Sequence, residues 1–387
     1  MRFFFIHDHP FYQENEAVYS GGGLPNSTWN NYLLYFTDIT VFGRLSSNIK
    51  DKKVLSSGNQ KVNFVLTSHL SSMPSLFFNL KKLVSQIEAE ISKSDIVLVR
   101  LPSLLGFIGA YVAFRSGKKV IVEQVGNAKE AMKTQGSFLG KIIAPFFEIV
   151  NKHIVKKANY ITYVTENKLQ KDYPTKGVAA GLSDVLIEKI INKEHIDYSR
   201  FNGREFKIGL IGGFDAKYKG QNILLQAIAL LDNKIIENIS LYFVGKGNNE
   251  WLSNIANNLG LLENIKFIGP KESGNEIFDF LLDMSLYVQP SYTEGMPRAL
   301  LEAMSVGCPV LGSRVGGIPD VVSSTSIHNP GDYKTLSNQI LKLYVNRELL
   351  LKESFRSIDM VQPFLKSNLD KKRDSFYREI IKDLHNA

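Results

Sequence analysis

Of 387 residues, one is cysteine, Cys308; this excludes a disulfide within the chain and fits a reducing compartment. Long apolar runs are lacking too. The most continuous, residues 101–114, falls short of the roughly 18 residues a membrane span needs and is broken by Pro102, Ser103 and two glycines, so no transmembrane helix is expected. The opening MRFFFIHDHP holds one early arginine and four apolar residues before charge returns. That is too little for the apolar core of a signal peptide and reads instead as a first strand. No recognised nucleic-acid module and no aromatic and basic repeat occurs, which argues against a nucleic-acid partner. Nor does a G-x-G-x-x-G turn follow a strand with an acidic residue about 20 positions on, which argues against a dinucleotide dehydrogenase. Internal repeats and low-complexity tracts are also lacking.

What is present is an ordinary globular composition, 44% apolar and 22% charged, in a chain too long for one core, so two domains are expected. The formal charge of +8 lies in one half. Residues 1–200 hold 25 Lys and Arg against 17 Asp and Glu, or +8, while residues 201–387 hold 21 of each. A basic half suits an anionic partner such as a lipid phosphate or an acidic membrane surface. A solvated surface that serves solubility is the alternative.

Short β-branched or aromatic runs alternate with helical patterns along almost the whole chain, the signature of βαβ units and a parallel sheet. In the first half, strands are expected near residues 3–7, 40–42, 62–66, 96–100, 120–124 and 161–164, with helices at 76–91, 103–115 and 129–157. A second series starts at FKIGLIGGF (206–214) and continues through SLYFVGKG (240–247), IKFIGP (265–270), SLYVQP (285–290) and PVLGS (309–313). The fold class that follows is α/β, two Rossmann-like wound domains facing a cleft. The expected division is an N-terminal wound domain 1–173, a linker 174–205 rich in Gly, Pro and charge, a second wound domain 206–365, and a charged C-terminal helix 366–387. That helix is expected to pack on the outside, towards the N-terminal domain. Ligands of wound sheets bind beyond the carboxyl ends of the strands.

The densest signal is SYTEGMPRALLEAMSVGCPVLGSRVGGIPDVV (291–322). It follows an apolar strand, turns at Glu294 and Gly295, and puts Pro297 where a helix starts, since proline is tolerated in a first turn. The helix runs from Arg298 and stops at Gly307. Its unpaired N-terminal amides suit sugar hydroxyls or phosphate. Glu294 precedes the helix and Glu302 lies more than a turn inside it, two carboxylates able to accept hydrogen bonds from a polyol. Dipole stabilisation for Glu294 and a solvated helix face for Glu302 are the bland alternatives.

This segment resembles the E-x7-E signature of the retaining glycosyltransferase family 4, which has the GT-B fold. The likeness extends along the second half: FKIGLIGGFDAKYKGQNILLQAIALL resembles the family's first C-domain strand and phosphate loop, and LYFVGKGNNEWL its second strand and turn. The first half resembles the family only loosely. The resemblance implies transfer of a hexose-type sugar from a nucleotide diphosphate sugar to a hydroxyl of a glycan or lipid-linked oligosaccharide. It further implies retention at the anomeric carbon, with no metal and no cofactor. It makes residues 1–173 the acceptor-side domain and 206–365 the nucleotide-sugar-binding domain, with Glu294 on the donor sugar hydroxyls and Lys219 on the departing diphosphate as catalytic residues, to which Arg298 is added below. Glu302 would take the ribose. Gly22, Gly23, Gly213, Lys217, Gly245, Gly295, Met296 and Pro297 would complete the donor site, although Pro297 donates no hydrogen bond.

Two departures stand out. Phe214 occupies the place of a common family arginine, so the second cation is assigned to Arg298, with Lys217 as the alternative. After the strand 120–124 the run is EQVGNAKE (123–130), without the histidine many relatives have there. Glu123, Gln124 or Asn127 is expected to make the corresponding polar contact. Glu123, Asn127 and His9, the last from the cluster His7, Asp8 and His9, are thus the acceptor-side candidates. No enzyme nucleophile presents itself, so same-face attack with the departing phosphate assisting deprotonation is the expected route. A sugar-nucleotide epimerase on the same fold and a catalytically idle nucleotide-sugar-binding subunit are the rival readings. The expected setting is the cytoplasm, at the inner face of the membrane in bacterial surface polysaccharide synthesis. Peripheral contact with anionic lipid is expected through the helical pattern of residues 138–157 and its Lys152, Lys156 and Lys157.

Overall fold

The computed structural model describes residues 1–21, 23–46, 55–68, 73–134, 138–272 and 274–386. The chain forms two compact units, one of Met1–Val164, Leu169–Leu182 and Lys372–Ala387, the other of Thr165–Lys168 and Ser183–Lys371.

The first unit is built on the strands β1 (Arg2–Glu14), β2 (Ala17–Ser20), β3 (Asp38–Leu45), β4 (Leu55–Ser56), β5 (Val62–Thr67), β6 (Ile96–Leu101), β7 (Lys119–Gln124), β8 (Tyr160–Tyr163) and β9 (Val178–Gly181). Seven of them run parallel in the order β5-β3-β1-β6-β7-β8-β9. Strand β1 serves twice. Its residues 3–6 pair with both β3 and β6, the register shifts between Ile6 and Pro10, and its far end turns back on β2 as an antiparallel hairpin. The run Phe3-Phe4-Phe5-Ile6 shows no polar alternation because both faces of a parallel sheet are covered. Phe4 and Ile6 enter one core with Val97, Val99, Val120 and Val122. Phe3 and Phe5 enter the other with Trp29, Ile96, Leu98 and Ile121. Each such side chain, fully buried, contributes about 1.5–3 kcal/mol.

The second unit holds β10 (Phe206–Ile211), β11 (Ile239–Val244), β12 (Ile265–Ile268), β13 (Leu286–Gln289), β14 (Val310–Ser313) and β15 (Ile327–His328). All are parallel, in the order β12-β11-β10-β13-β14-β15. In each sheet the strand order reverses beside the first strand, at β1/β6 and at β10/β13. The loops beyond the carboxyl ends there are where wound sheets hold ligands.

Three elements differ from the sequence reading. The single helix expected at 129–157 is two, Ala128–Thr134 and Phe138–Lys157, with 135–137 outside the described residues. Within the segment read as a connection, Val178–Gly181 forms β9, a four-residue edge strand too short and too glycine-flanked to announce itself. The last helix, Lys366–His385, has its charge outside but is not confined to the surface. Phe376, Tyr377 and Ile380 are buried in the first unit's core, where Tyr377 stacks on Tyr35 with centroids 4.9 Å apart.

Candidate functional site

In the second unit, the loop after β13 and the loop after β10 meet at the strand-order reversal. Tyr292 donates its amide to the Tyr218 carbonyl at 2.8 Å, fastening one loop to the other. Glu294 is the centre of the polar contacts. Its Oε1 accepts from Ser291 Oγ at 2.7 Å, Gln289 Nε2 at 2.9 Å and Lys219 Nζ at 2.9 Å. Among the described residues its Oε2 accepts from Lys219 Nζ alone, at 3.2 Å. The ion pair is sheltered, the Glu294 side chain being 8% exposed and that of Lys219 21%. Behind it, Tyr287 donates to Gln289 Oε1 at 2.6 Å. Burial raises the Tyr287 hydroxyl well above its ordinary pKa, so it stays a donor and keeps the Gln289 amide turned towards Glu294. One oxygen of Glu294 is therefore saturated and the other retains acceptor capacity.

Backbone shape explains the glycines. Gly220 has φ +75° and caps the helix Gln221–Ile228; a Cβ there would stand 2.1 Å from the Pro290 carbonyl oxygen. Gly316, at φ +51°, would place a Cβ 2.2 Å from the Glu294 carbonyl oxygen, and Gly317 donates its amide to Gly295 at 2.7 Å. Gly245 approaches Gly212 as closely, a Cβ there standing 2.1 Å from the Gly212 oxygen, while Gly213 accepts from Gln221 Nε2 at 3.1 Å. These contacts hold the loops of Lys219 and Glu294 in fixed register.

Pro297 caps the helix Arg298–Ser305, and Met296 and Pro297 are buried. Arg298 and Glu302, one turn apart, line a cavity of about 460 Å³ with Asp184, Lys189, Asn275 and Phe278; Lys189 Nζ stands 3.8 Å from the centre of the Phe278 ring. Lys219 and Glu294 are not among its walls. The two glutamates thus belong to adjoining polar places, Glu294 with Lys219 and Glu302 with Arg298. Lys217 is exposed and lies over the Trp251 ring at 5.3 Å. Phe214 is core, its ring edge-on to Phe267 and its carbonyl taken by Trp251 Nε1. Among the described residues no three His, Cys, Asp or Glu side chains cluster as a metal site.

The first unit has a polar cluster at its own reversal point. Asp8 accepts from the amides of Leu104 at 2.6 Å and Leu105 at 2.8 Å, capping the helix Leu104–Arg115. His9 Nε2 lies 2.7 Å from Ser20 Oγ, and a Cβ at Gly23 would stand 2.9 Å from His9 Cε1. Burial, then the charge of Arg100, pushes His7 down to about 3; burial with Arg100 and Arg44 pushes His9 to about 4, so both are neutral at pH 7. Burial raises the Asp8 carboxyl. Glu123 accepts from the buried Tyr32 hydroxyl at 2.5 Å and faces Arg100 at 4.0 Å. Asn127 caps the helix Ala128–Thr134, accepting from the Glu130 amide at 3.0 Å. Gln124 is buried against Asn151. Gly22 lies outside the described residues.

Sequence reasoning passed over Gln289 and Ser291, which hold Glu294, and Arg44 and Arg100, which set the charge around the histidines. The signal for the first pair was available, since Gln289, Ser291 and Glu294 are polar residues in succession at the end of an apolar strand. Asp320 was also missed. Its Oδ2 accepts three successive amides, from Glu166, Asn167 and Lys168, at 3.0, 2.9 and 3.2 Å.

Known proteins share this architecture. The family described as glycosyl transferases group 1 matches residues 192–355, which carry β10 to β15 and both glutamates. Protein CapJ of Staphylococcus aureus is 32% identical over 392 residues, an alignment covering 100% of this chain and 98% of CapJ. The capsular polysaccharide biosynthesis glycosyltransferase CapH, also of Staphylococcus aureus, is 36% identical over 100 residues, 25% of this chain and 27% of CapH. Among solved structures, HepE of Anabaena in complex with UDP superposes with a TM-score of 0.66 at 15% identity, covering 100% of both chains. The two wound parallel sheets are those of GT-B glycosyltransferases, and with a relative alike from end to end and the family's signature spread over the second sheet, the chain belongs to the group 1 glycosyl transferases.

Proposed function

We propose that the protein is a retaining, metal-independent hexosyltransferase of family 4. It would move a sugar from a nucleoside diphosphate to a hydroxyl of a glycan or lipid-linked oligosaccharide in surface polysaccharide synthesis. The observation that carries the reading is the hold on Glu294. Three donors fix its carboxylate and leave Oε2 with spare acceptor capacity at the reversal point of β10 and β13, where a sugar hydroxyl would find it. Lys219, its Nζ 2.9 Å from Glu294 Oε1, would stabilise the departing diphosphate. Arg298 is the second cation and Glu302 the ribose acceptor, with Phe278 and Asn275 offering an aromatic and polar wall to the base. Support for the donor class comes from HepE, whose structures hold UDP and UDP-glucose. Support for the setting comes from CapH, named for capsular polysaccharide biosynthesis.

On the acceptor side, His9, Glu123 and Asn127 are proposed as neighbours of the incoming hydroxyl. His9 is neutral, so a ring nitrogen would accept a hydrogen bond from that hydroxyl. Attack from the leaving group's own face, with the departing phosphate taking the acceptor proton, needs no enzyme nucleophile. Thermal unfolding with a panel of nucleoside diphosphates and their sugars tests the donor reading, because a bound ligand raises stability by mass action. One nucleotide class should stabilise the wild type and fail to stabilise Glu302→Ala. Stabilisation by no member of the panel would sink the reading. With the donor known, NMR of the product bond tests retention, and undiminished turnover in EDTA tests metal independence.

A further inference from the structure

We infer that the acceptor is a sugar of the uronic acid kind, its carboxylate seated on Arg44 with Arg100 beside it. The inference rests on the acceptor role proposed for His9 and adds to it the acceptor's charge. Arg44 lies near the end of β3 and Arg100 near the end of β6, the two strands that flank β1, so the arginines bracket residues 7–9 from either side. Both charges reach the His9 ring, and that of Arg44 reaches Asp8 as well. The place is sheltered, the Arg100 side chain being 15% exposed and Arg44 partly buried.

The balance of charge decides what fits. Arg100 faces Glu123 at 4.0 Å, and Glu123 is held in place by the Tyr32 hydroxyl. Asp8 gives both its oxygens to the amides of Leu104 and Leu105, where a carboxylate answers the positive end of the helix Leu104–Arg115. Arg44 makes no hydrogen bond or ion pair among the described residues. A partly buried guanidinium without a partner carries a desolvation cost that a bound anion offsets, and its planar fork matches a carboxylate through two parallel hydrogen bonds. One unmatched positive charge calls for one negative charge. A carboxylate brings one, whereas a phosphate monoester brings roughly 1.5 to 2 at pH 7 and would set its excess against Glu123 and Asp8. A hydroxyl of the same sugar finds a neutral partner in His9, whose Nε2 is engaged by Ser20 Oγ at 2.7 Å and whose Nδ1 makes no hydrogen bond among the described residues. Charge at Arg44 and a hydroxyl at His9 would hold the sugar at two points and fix which hydroxyl is presented.

NMR titration of the full chain tests this with the methyl glycosides of glucuronic and galacturonic acid, their neutral parents methyl glucoside and methyl galactoside, glucose 6-phosphate, and acetate. The ring resonance of His9, assigned by its loss in His9→Asn, reports binding at this place. At least one uronide should bind at least about tenfold more tightly than its neutral parent, more tightly than acetate or glucose 6-phosphate, and should move the His9 resonance. Arg44→Gln should erase the preference over the neutral parent. Glu123→Gln keeps an acceptor for the Tyr32 hydroxyl and removes one negative charge, so it should turn the preference towards glucose 6-phosphate. Circular dichroism checks that both variants are folded. Stabilisation by UDP, which reads the donor site in the second unit, should be alike in all three proteins, so failure of the donor reading and failure of this one fall in different measurements. Binding of neither uronide, a neutral parent or acetate bound as tightly, a wild type that prefers glucose 6-phosphate, or a preference that survives Arg44→Gln overturns the inference.

Discussion

Replacing Glu294 by glutamine keeps the shape of the side chain and removes its charge. The amide oxygen can still accept from Ser291 Oγ, Gln289 Nε2 and Lys219 Nζ, but the new NH2 must then stand where Oε2 was, 3.2 Å from Lys219 Nζ. Two donors would confront each other in a place where the Lys219 side chain is 21% exposed. A hydrogen bond to a charged group is worth about 1.5–3 kcal/mol, and Lys219 can recover part of this by swinging into water, so the loss should be about 2 kcal/mol. Lys219→Met should cost a similar amount, because it leaves a carboxylate 8% exposed with two neutral donors. The double variant should cost much less than the sum, with a coupling of about 1.5–2 kcal/mol, since the second change removes the partner that the first had stranded. Urea unfolding of the four proteins measures this. In a Trp29→Phe background the fluorescence of Trp251, whose indole donates to the Phe214 carbonyl at 2.8 Å, reports the second unit alone. If the two losses add to within about 0.5 kcal/mol, the pair does not hold the site together and the reasoning fails.

Gly220→Ala should cost at least about 2 kcal/mol, from left-handed strain at φ +75° and a Cβ 2.1 Å from the Pro290 oxygen; Gly269→Ala, in the same unit with nothing within 4 Å, should be neutral in the same urea assay. Stability should fall as pH drops from 6.5 towards 4, because burial holds His7, His9 and His328 neutral, at about 3, 4 and 4, while the unfolded chain takes up their protons. At pH 5 each costs up to about 2 kcal/mol, with the raised Asp8 acting in the opposite sense. His328→Leu should therefore shrink the loss between pH 7 and pH 5 by about 2 kcal/mol; a loss as large as that of the wild type would contradict the burial argument. Tyr377→Ala should cost about 3–5 kcal/mol by emptying a core site 2% exposed. A loss under about 1 kcal/mol would mean that the last helix is not part of the first unit's core.

Much of the second unit was legible because its strands are short apolar runs in unbroken order, each followed by a turn and a helix. The placing of both glutamates was legible too, since they lie in one loop and the helix that follows it. What holds Glu294 was only half visible. Gln289 and Ser291 are neighbours in sequence, but the bond to Lys219 spans 75 residues, and local pattern carries no information at that range. In the first unit, the polar stretch after residue 6 concealed the continuation of β1 into a hairpin, because His, Asp and Pro at a register shift do not alternate as a strand should. Asn127 illustrates the converse: a polar residue that reads as a ligand contact also caps a helix, and local sequence does not separate these uses. The charge of the last helix drew attention from Phe376, Tyr377 and Ile380, which are the residues that dock it.

Hydrogen exchange, with and without a saturating nucleoside diphosphate sugar, addresses the donor site most directly and requires no knowledge of the acceptor. Protection is predicted in two stretches of the second unit, 212–220 and 291–302, and it should weaken in Glu294→Gln. Protection confined to other segments, or none at a concentration that raises the melting temperature, would contradict the placement of the donor at Glu294 and Lys219.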